Sequence, residues 1–209
     1  LGKPSIESLV KGVSVLPVLT VNSCEEAIGV SQALFEGGLG AVEITLRTPV
    51  AIEALAAVKR ELPELIVAAG TVTNADELAA VIDAGVDFAV SPATTPRLFD
   101  AIDEAGLPFL PGVATPSEAL YALERGLNHL KLFPAQSVGG LGLLKSLSGP
   151  LSAARFCPTG GLNAGNFTDF LQLPNVFCVG GSWMVTGDDL AQQNWPAIRA
   201  AAATCVQKP

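Results

Sequence analysis

Basic residues are scarce in this 209-residue chain: 12 Lys and Arg face 20 Asp and Glu, for a formal net charge of -8. Nucleic acids and anionic membranes reward basic patches, so both are excluded as principal partners, while small anions stay accessible to local sites. Histidine occurs once, at His129, which leaves no histidine-rich metal site, although carboxylates alone keep magnesium binding open. The four cysteines, Cys24, Cys157, Cys178 and Cys205, lack the paired short spacing of a zinc site, and two lie in apolar, strand-like runs. Reduced, mostly buried thiols follow. No cationic segment leads into an apolar signal stretch and no apolar run is long enough to span a bilayer, which points to a soluble, cytoplasmic protein. No Pro/Ser-rich linker divides the sequence, so residues 1–209 are read as one domain, two small domains being the alternative that length permits.

What the chain does have is apolar content, 49% hydrophobic against 15% charged residues, enough for a large core. It is arranged as strand-like runs at 13–21, 41–46, 65–69, 88–91, 109–112, 129–133, 154–157 and 176–180. Helical segments lie between them at 25–36, 50–61, 75–84, 96–105, 116–125, 141–147 and 164–171, with a last helix at 189–206. Gly38, Gly85, Gly106 and Gly126 each follow a helical segment, where a left-handed residue ends a helix. Ser23 with Glu26, Asn74 with Glu77 and Thr115 with Glu118 have capping-box spacing, and Thr95-Pro96 and Thr115-Pro116 place a cap before proline. Strand and helix units recurring every roughly 20 to 26 residues imply parallel strands with right-handed crossovers. The fold predicted is a single α/β (β/α)8 TIM barrel with an additional N-terminal helix, since closure removes both exposed sheet edges. A doubly wound open sheet is the alternative, weakened because no dinucleotide-type glycine fingerprint opens the first crossover helix.

In such a barrel the active site lies at the carboxyl ends of the strands. The unusual polar residues collect there: Glu43, Thr45 and Arg47 after the second run, Thr71 after the third, Ser91-Pro92 after the fourth, and Lys131 and Phe133 on the sixth. Lys131, within Leu130-Lys131-Leu132-Phe133-Pro134, is the most informative of them. Alternation places Lys131 and Phe133 on one face and Leu130 and Leu132 on the other, so the amine is expected to be partly buried. Burial disfavours an ammonium ion, which is how enzymes obtain a neutral lysine nucleophile for Schiff-base chemistry. The competing role is a lysine that snorkels to solvent or pairs with a carboxylate. Val42, Ile44 and Leu46 take the helix-facing side of the second run, which directs Glu43, Thr45 and Arg47 inward. For Glu43, an ion pair with Lys131 or Arg47 competes with catalysis. Arg47 stands between strand and helix, where an arginine meets a carboxylate or phosphate through its fork.

Thr159-Gly160-Gly161 and Gly180-Gly181-Ser182 follow the seventh and eighth runs. Glycine pairs there let backbone N–H groups approach an anion, and this fold often binds phosphate at those two positions, although turns also require glycine. Gly139-Gly140 reads as a flexible loop element, and His129, near the start of its strand, as a core or lower-barrel residue. Together these groups describe an aldolase without a metal or other cofactor. Lys131 attacks a 2-keto group, Arg47 and Thr71 hold the adjacent carboxylate, Glu43 moves protons, and a phosphate is held across the barrel mouth. A phosphate-binding isomerase or synthase using Lys131 as an electrostatic clamp is a second enzyme reading. A barrel retained as a phosphosugar sensor or assembly subunit is a third.

The motifs Val42-Glu43-Ile44-Thr45-Leu46-Arg47, Ala69-Gly70-Thr71-Val72, Pro111-Gly112-Val113-Ala114-Thr115, Lys131-Leu132-Phe133-Pro134-Ala135, Phe156-Cys157-Pro158-Thr159-Gly160-Gly161 and Gly180-Gly181-Ser182-Trp183 span nearly the whole chain. Together they resemble the 2-keto-3-deoxy-6-phosphogluconate (KDPG) aldolases, often grouped with the 4-hydroxy-2-oxoglutarate (KHG) aldolases. The resemblance implies a class I lyase on a (β/α)8 barrel, usually a homotrimer. It would split its phosphorylated substrate into pyruvate and glyceraldehyde 3-phosphate in the Entner-Doudoroff pathway, with KHG as a further substrate giving pyruvate and glyoxylate. Lys131 matches the Schiff-base lysine, Glu43 the acid/base residue, Arg47 and Thr71 the pyruvate-carboxylate site, and Phe133 and Pro92 its apolar lining. Gly160, Gly161 and Ser182 match the phosphate site, with Thr159 and Gly181 beside them. Two positions depart from the pattern: Gln136 where a glutamate commonly follows the lysine motif, and Ala93 in place of a glycine after Ser91-Pro92. Both bear on substrate preference rather than on reaction type.

Overall fold

Side-chain caps set several of the helix starts, and glycines follow several of the helix ends. The computed structural model describes residues 5–206. In chain order they form α1 (Ile6–Leu9), β1 (Val15–Leu19), α2 (Cys24–Glu36), β2 (Ala41–Thr45), α3 (Ala51–Glu61), β3 (Ile66–Gly70), α4 (Ala75–Asp83), β4 (Phe88–Val90), α5 (Pro96–Ala105), β5 (Phe109–Leu110), β6 (Gly112–Val113), α6 (Pro116–Glu124), β7 (His129–Leu132), α7 (Gly140–Leu147), β8 (Arg155–Pro158), α8 (Phe167–Leu171), β9 (Val179–Gly181), α9 (Gly187–Ala191) and α10 (Trp195–Cys205). The side chains of Ser23, Asn74, Thr95 and Thr115 each accept the N–H three residues on, satisfying one of the orphan donors of a first turn. Of the three expected capping boxes only that of Thr115 is reciprocal. Glu26 and Glu77 reach one residue further back, accepting from the N–H groups of Asn22 at 2.8 Å and Thr73 at 2.7 Å. Gly38, Gly85, Gly106 and Gly126 all have positive φ, as the C-terminal signals require.

All strand pairings are parallel, and the ladders form a six-stranded sheet, β5-β4-β3-β2-β1-β9, and a three-stranded one, β6-β7-β8. The architecture is thus α/β with a curled parallel sheet, and the ladders do not run continuously around the closed ring that the repeat predicts. Both interruptions have local causes. The expected strand 109–112 is cut at Pro111, which has no N–H to give to a neighbour, although its carbonyl accepts the N–H of Lys131 at 2.9 Å. The expected strand 176–180 begins only at Val179, and it meets the β8 segment through the isolated bridges Phe156↔Val176 and Thr159↔Gly180. At the C-terminal end, the helix predicted over 189–206 is two helices, separated where Gln193 takes a φ of 50° and restarted with Pro196 in the first turn of α10.

The strand faces sort the side chains into two apolar clusters. Val42 and Ile44 pack outward with Val30, Leu55 and Val58 of the helices. Ala41 faces inward with Leu16, Ala68, Phe88, Val90, Leu110, Cys157 and Cys178, and this inner cluster is sealed at the amino ends of the strands by Ile6 and Val10. Burying a side chain such as Phe88 contributes about 1.5–3 kcal/mol, so the inner cluster fixes the floor on which the polar residues stand. Among the described residues, no helix is long and apolar enough to cross a membrane.

Candidate active site

Above the inner cluster, one strand of the six-stranded sheet and one of the three-stranded sheet each contribute one charged group. Lys131 of β7 is 5% exposed and Glu43 of β2 is 1% exposed. The Lys131 Nζ donates to Glu43 Oε1 at 2.9 Å and lies 3.3 Å from Oε2. Both face inward for the reason the alternation gives, and glycine makes the space: a Cβ on Gly70 of β3 would collide with the Glu43 carboxylate. Among the described residues, Glu43 accepts from Lys131 alone, so most of its lone-pair capacity is uncommitted. The pair expected as the bland alternative therefore exists, and it is not a sealed one.

Lys131 opens onto a cavity of about 170 Å³ whose wall includes Val18, Arg47, Phe133, Thr159, Gly160, Gly161, Leu162, Gly181 and Ser182. The Phe133 ring stands 5.5 Å from the Lys131 amine, giving the nitrogen an aromatic neighbour. Arg47 is exposed, and its guanidinium has no ion-pair or hydrogen-bond partner among the described residues. A guanidinium without a protein partner has its whole fork of donors free for a carboxylate or phosphate. Gly160 and Gly161 have φ of 99° and 82°, and their N–H groups meet no protein acceptor among the described residues. Successive free N–H groups on a positive-φ turn form a concave anion-binding surface. The exposed Ser182 completes that rim.

Not every expected residue reaches the cavity. The Thr159 hydroxyl donates to the Cys157 carbonyl at 3.3 Å and its N–H to Leu132 O at 2.9 Å, so it lines the wall with both donors already engaged. Thr45 is fully buried and its hydroxyl donates to Leu19 O at 2.9 Å, so it takes no part in the lining that the alternation assigned it. Thr71 and Pro92 are partly exposed and are not among the residues lining this cavity. Thr71 follows Gly70 directly and has a φ of 63°, rare for a β-branched residue. Pro92 presses on Gly112, the residue in register with Lys131. Gly139 and Gly140, read as a flexible loop, start α7. Val18 and Leu162 carry no sequence signal; Val18 is in register with Glu43 and so shares its face, a relation visible only once β1 and β2 are paired.

The remaining titratable groups near the sheet stand apart from this chemistry. Cys157 is in register with Lys131 and neighbours Cys178, whose thiol is pushed well above its usual range by burial and then by the hydrogen bond with Cys157. Such thiols are inert. His129 sits at the opposite end of β7, edge-on to Phe177 with ring centroids 4.9 Å apart, and burial lowers its pKa.

Comparison with known proteins places this geometry in context. Residues 6–201 match the family model described as KDPG and KHG aldolase. The KHG/KDPG aldolase of Escherichia coli K12 is 42% identical over 205 residues, covering 98% of this chain and 96% of that protein. The crystal structure of the KDPG aldolase of Legionella pneumophila, with pyruvate captured as a covalent carbinolamine intermediate, superposes with a TM-score of 0.93 at 40% identity over 96% of this chain and 98% of that one. The Zymomonas mobilis KDPG aldolase with 3-phosphoglycerate gives a TM-score of 0.90 at 38% identity, covering 98% and 96%. Over nearly its entire length, the chain belongs to the KDPG and KHG aldolase family.

Proposed function

We propose that this protein is a class I aldolase that cleaves KDPG to pyruvate and glyceraldehyde 3-phosphate, and also KHG to pyruvate and glyoxylate. The observation that carries the reading is the buried Lys131–Glu43 pair, opening onto a cavity with an unpaired arginine on one side and a glycine turn on the other. The 2.9 Å contact is a path by which Lys131 passes a proton to Glu43 and becomes nucleophilic. The free amine adds to the C2 carbonyl, and Glu43 returns its proton to the departing hydroxyl, so that loss of water gives a protonated imine and leaves Glu43 ionised again. Glu43, directly or through water, takes the proton of the C4 hydroxyl. The C3–C4 bond breaks, its electron pair moves into the imine as an enamine, and the aldehyde departs. Protonation at C3 and hydrolysis of the imine release pyruvate and restore Lys131.

Arg47 and Thr71 are assigned to the substrate carboxylate, Phe133 and Pro92 to the apolar lining around the ketone, and Thr159, Gly160, Gly161, Gly181 and Ser182 to the phosphate. Holding both ends places the scissile bond between them and converts binding into orientation. The same reading includes a closed eight-stranded barrel spanning residues 1–209 as one domain. It is supported by the Pro111 carbonyl joining β5 and β6 to β7 and by the two bridges between the β8 and β9 segments. A homotrimer working in the cytoplasm within the Entner-Doudoroff pathway belongs to the proposal too, and light scattering tests the trimer.

Incubation with pyruvate and borohydride, followed by peptide mass spectrometry, tests the chemistry. A reduced pyruvyl adduct on Lys131 is expected, together with pyruvate release from KDPG in a coupled assay. Bound pyruvate without an adduct would overturn the Schiff-base assignment.

A further inference from the structure

Arg47 lies two residues beyond the end of β2, with no partner among the described residues to hold its side chain. Its place is therefore fixed by its backbone alone. That backbone is fastened to the neighbouring strand on both sides. Before it, Thr45 Oγ1 donates to Leu19 O at 2.9 Å; after it, Thr48 Oγ1 donates to Val21 O at 2.7 Å. Between them the chain turns tightly, the Arg47 N–H donating to Thr45 O at 2.8 Å, while Leu46 keeps its bond to Gly70 O of β3 at 2.9 Å.

These two hydroxyls stand where the β1–β2 ladder has run out, since its last register pair is Leu19↔Ile44. Without them, the carbonyls of Leu19 and Val21 would lose the bonds that tie the exit of β2 to the exit of β1. The Thr45 hydroxyl has one proton and gives it to Leu19 O; the contact with Thr20 Oγ1 at 3.0 Å must then be donated by Thr20. Thr45 is thereby saturated, and because it is fully buried it has no surface for substrate. Thr20 and Arg47 both line a second cavity of about 240 Å³ that adjoins the catalytic one, sharing Val18, Arg47 and Ser182 with it. An unanchored Arg47 would have that space to swing into.

We infer that Thr45 and Thr48 are positioning residues that hold Arg47 at the carboxylate of the bound keto acid, with Thr20 locking Thr45. The inference rests on the assignment of Arg47 to that carboxylate. A guanidinium fork tolerates little misplacement, because its strength comes from two parallel bonds, and a shift of about 1 Å in a positioning group can cost up to about 10²-fold.

The test uses the full-length enzyme with Thr45→Val, Thr45→Ser, Thr48→Val, Thr48→Ser and Arg47→Ala. Dissociation constants for pyruvate, KM and kcat for KDPG, and Tm are measured in each. The valine variants should raise the pyruvate Kd and the KDPG KM about tenfold while kcat at saturation stays within about twofold, and the serine variants should restore both. In an Arg47→Ala background the valine substitutions should add nothing further to the pyruvate Kd, the non-additivity expected of one linked unit. Unchanged Kd in both valine variants, a fall in kcat with KM unmoved, or full additivity with Arg47→Ala would overturn the positioning role. Unchanged pyruvate Kd in Arg47→Ala alone would overturn the carboxylate assignment itself, and the inference with it. A lowered Tm with unaltered Kd would leave the threonines as structural ties only and reject the inference.

Discussion

Two lysine–carboxylate pairs join separate parts of this fold, and they are built to opposite ends. Lys59 of α3 meets both carboxylate oxygens of Asp87 at 3.0 and 2.8 Å, and the same carboxylate accepts the Val67 N–H at 2.7 Å. Asp87 thus replaces a missing backbone partner at the amino end of the sheet, and its acceptors are committed. Lys131 and Glu43, at the carboxyl end, are far less exposed, yet among the described residues Glu43 accepts from the amine alone. A satisfied, partly exposed pair stabilises; a buried pair whose carboxylate has spare acceptors and whose amine faces a cavity is poised to exchange a proton. Burial and completeness of hydrogen bonding together separate the two.

Breaking each pair by substitution should separate the two most visibly. Lys131→Met should leave no detectable pyruvate release, and by stranding Glu43 it should lower stability by about 3–5 kcal/mol in urea titration. Adding Glu43→Gln should recover much of that stability and none of the activity. Glu43→Gln alone should slow cleavage by about 10²- to 10⁴-fold while borohydride still traps pyruvate on Lys131; a normal rate would remove Glu43 from proton transfer. Arg47→Lys, which keeps the charge but loses the fork, should weaken pyruvate binding by about tenfold in calorimetry. At the other end of the sheet, Asp87→Ala should cost about 1–3 kcal/mol of stability by orphaning the Val67 N–H, with kcat unaltered. Reduced kcat there would erase the distinction between the pairs.

The smallest expected effect is a pH dependence at the same amino end. Burial lowers the His129 pKa, so the unfolded chain takes up the proton more readily than the folded one. Stability should be full above the ordinary imidazole range and decline as pH falls through it toward the lowered folded value. His129→Asn should flatten that part of a Tm-versus-pH curve without touching catalysis. An identical curve in the variant would assign the slope to other groups.

Much of this was legible because the signals are local. Positive φ at Gly38, Gly85, Gly106 and Gly126 and the caps at Ser23, Asn74 and Thr115 depend on neighbours within a few residues. Inward placement of Glu43 and Lys131 needed only alternation along their own strands. What escaped depends on partners distant in sequence. Pro111 reads as a tolerable strand residue until its ladder neighbour must find an N–H. Thr45 has the correct face by parity, yet its hydroxyl is claimed by a carbonyl 26 residues earlier. The break at Gln193 was in principle readable from Pro196, which marks a helix start rather than an interior.

Thr71 carries a consequence for how the sequence can drift. A threonine at a φ of 63° occupies backbone space that glycine enters freely, at a cost of about 1–3 kcal/mol to the fold. On stability alone, Thr71→Gly would be an improvement. On the proposed assignment of Thr71 to the substrate carboxylate, thermostability and catalysis pull the same codon in opposite directions, so a variant library selected for heat resistance should enrich glycine at this position and lose affinity for pyruvate as it does so.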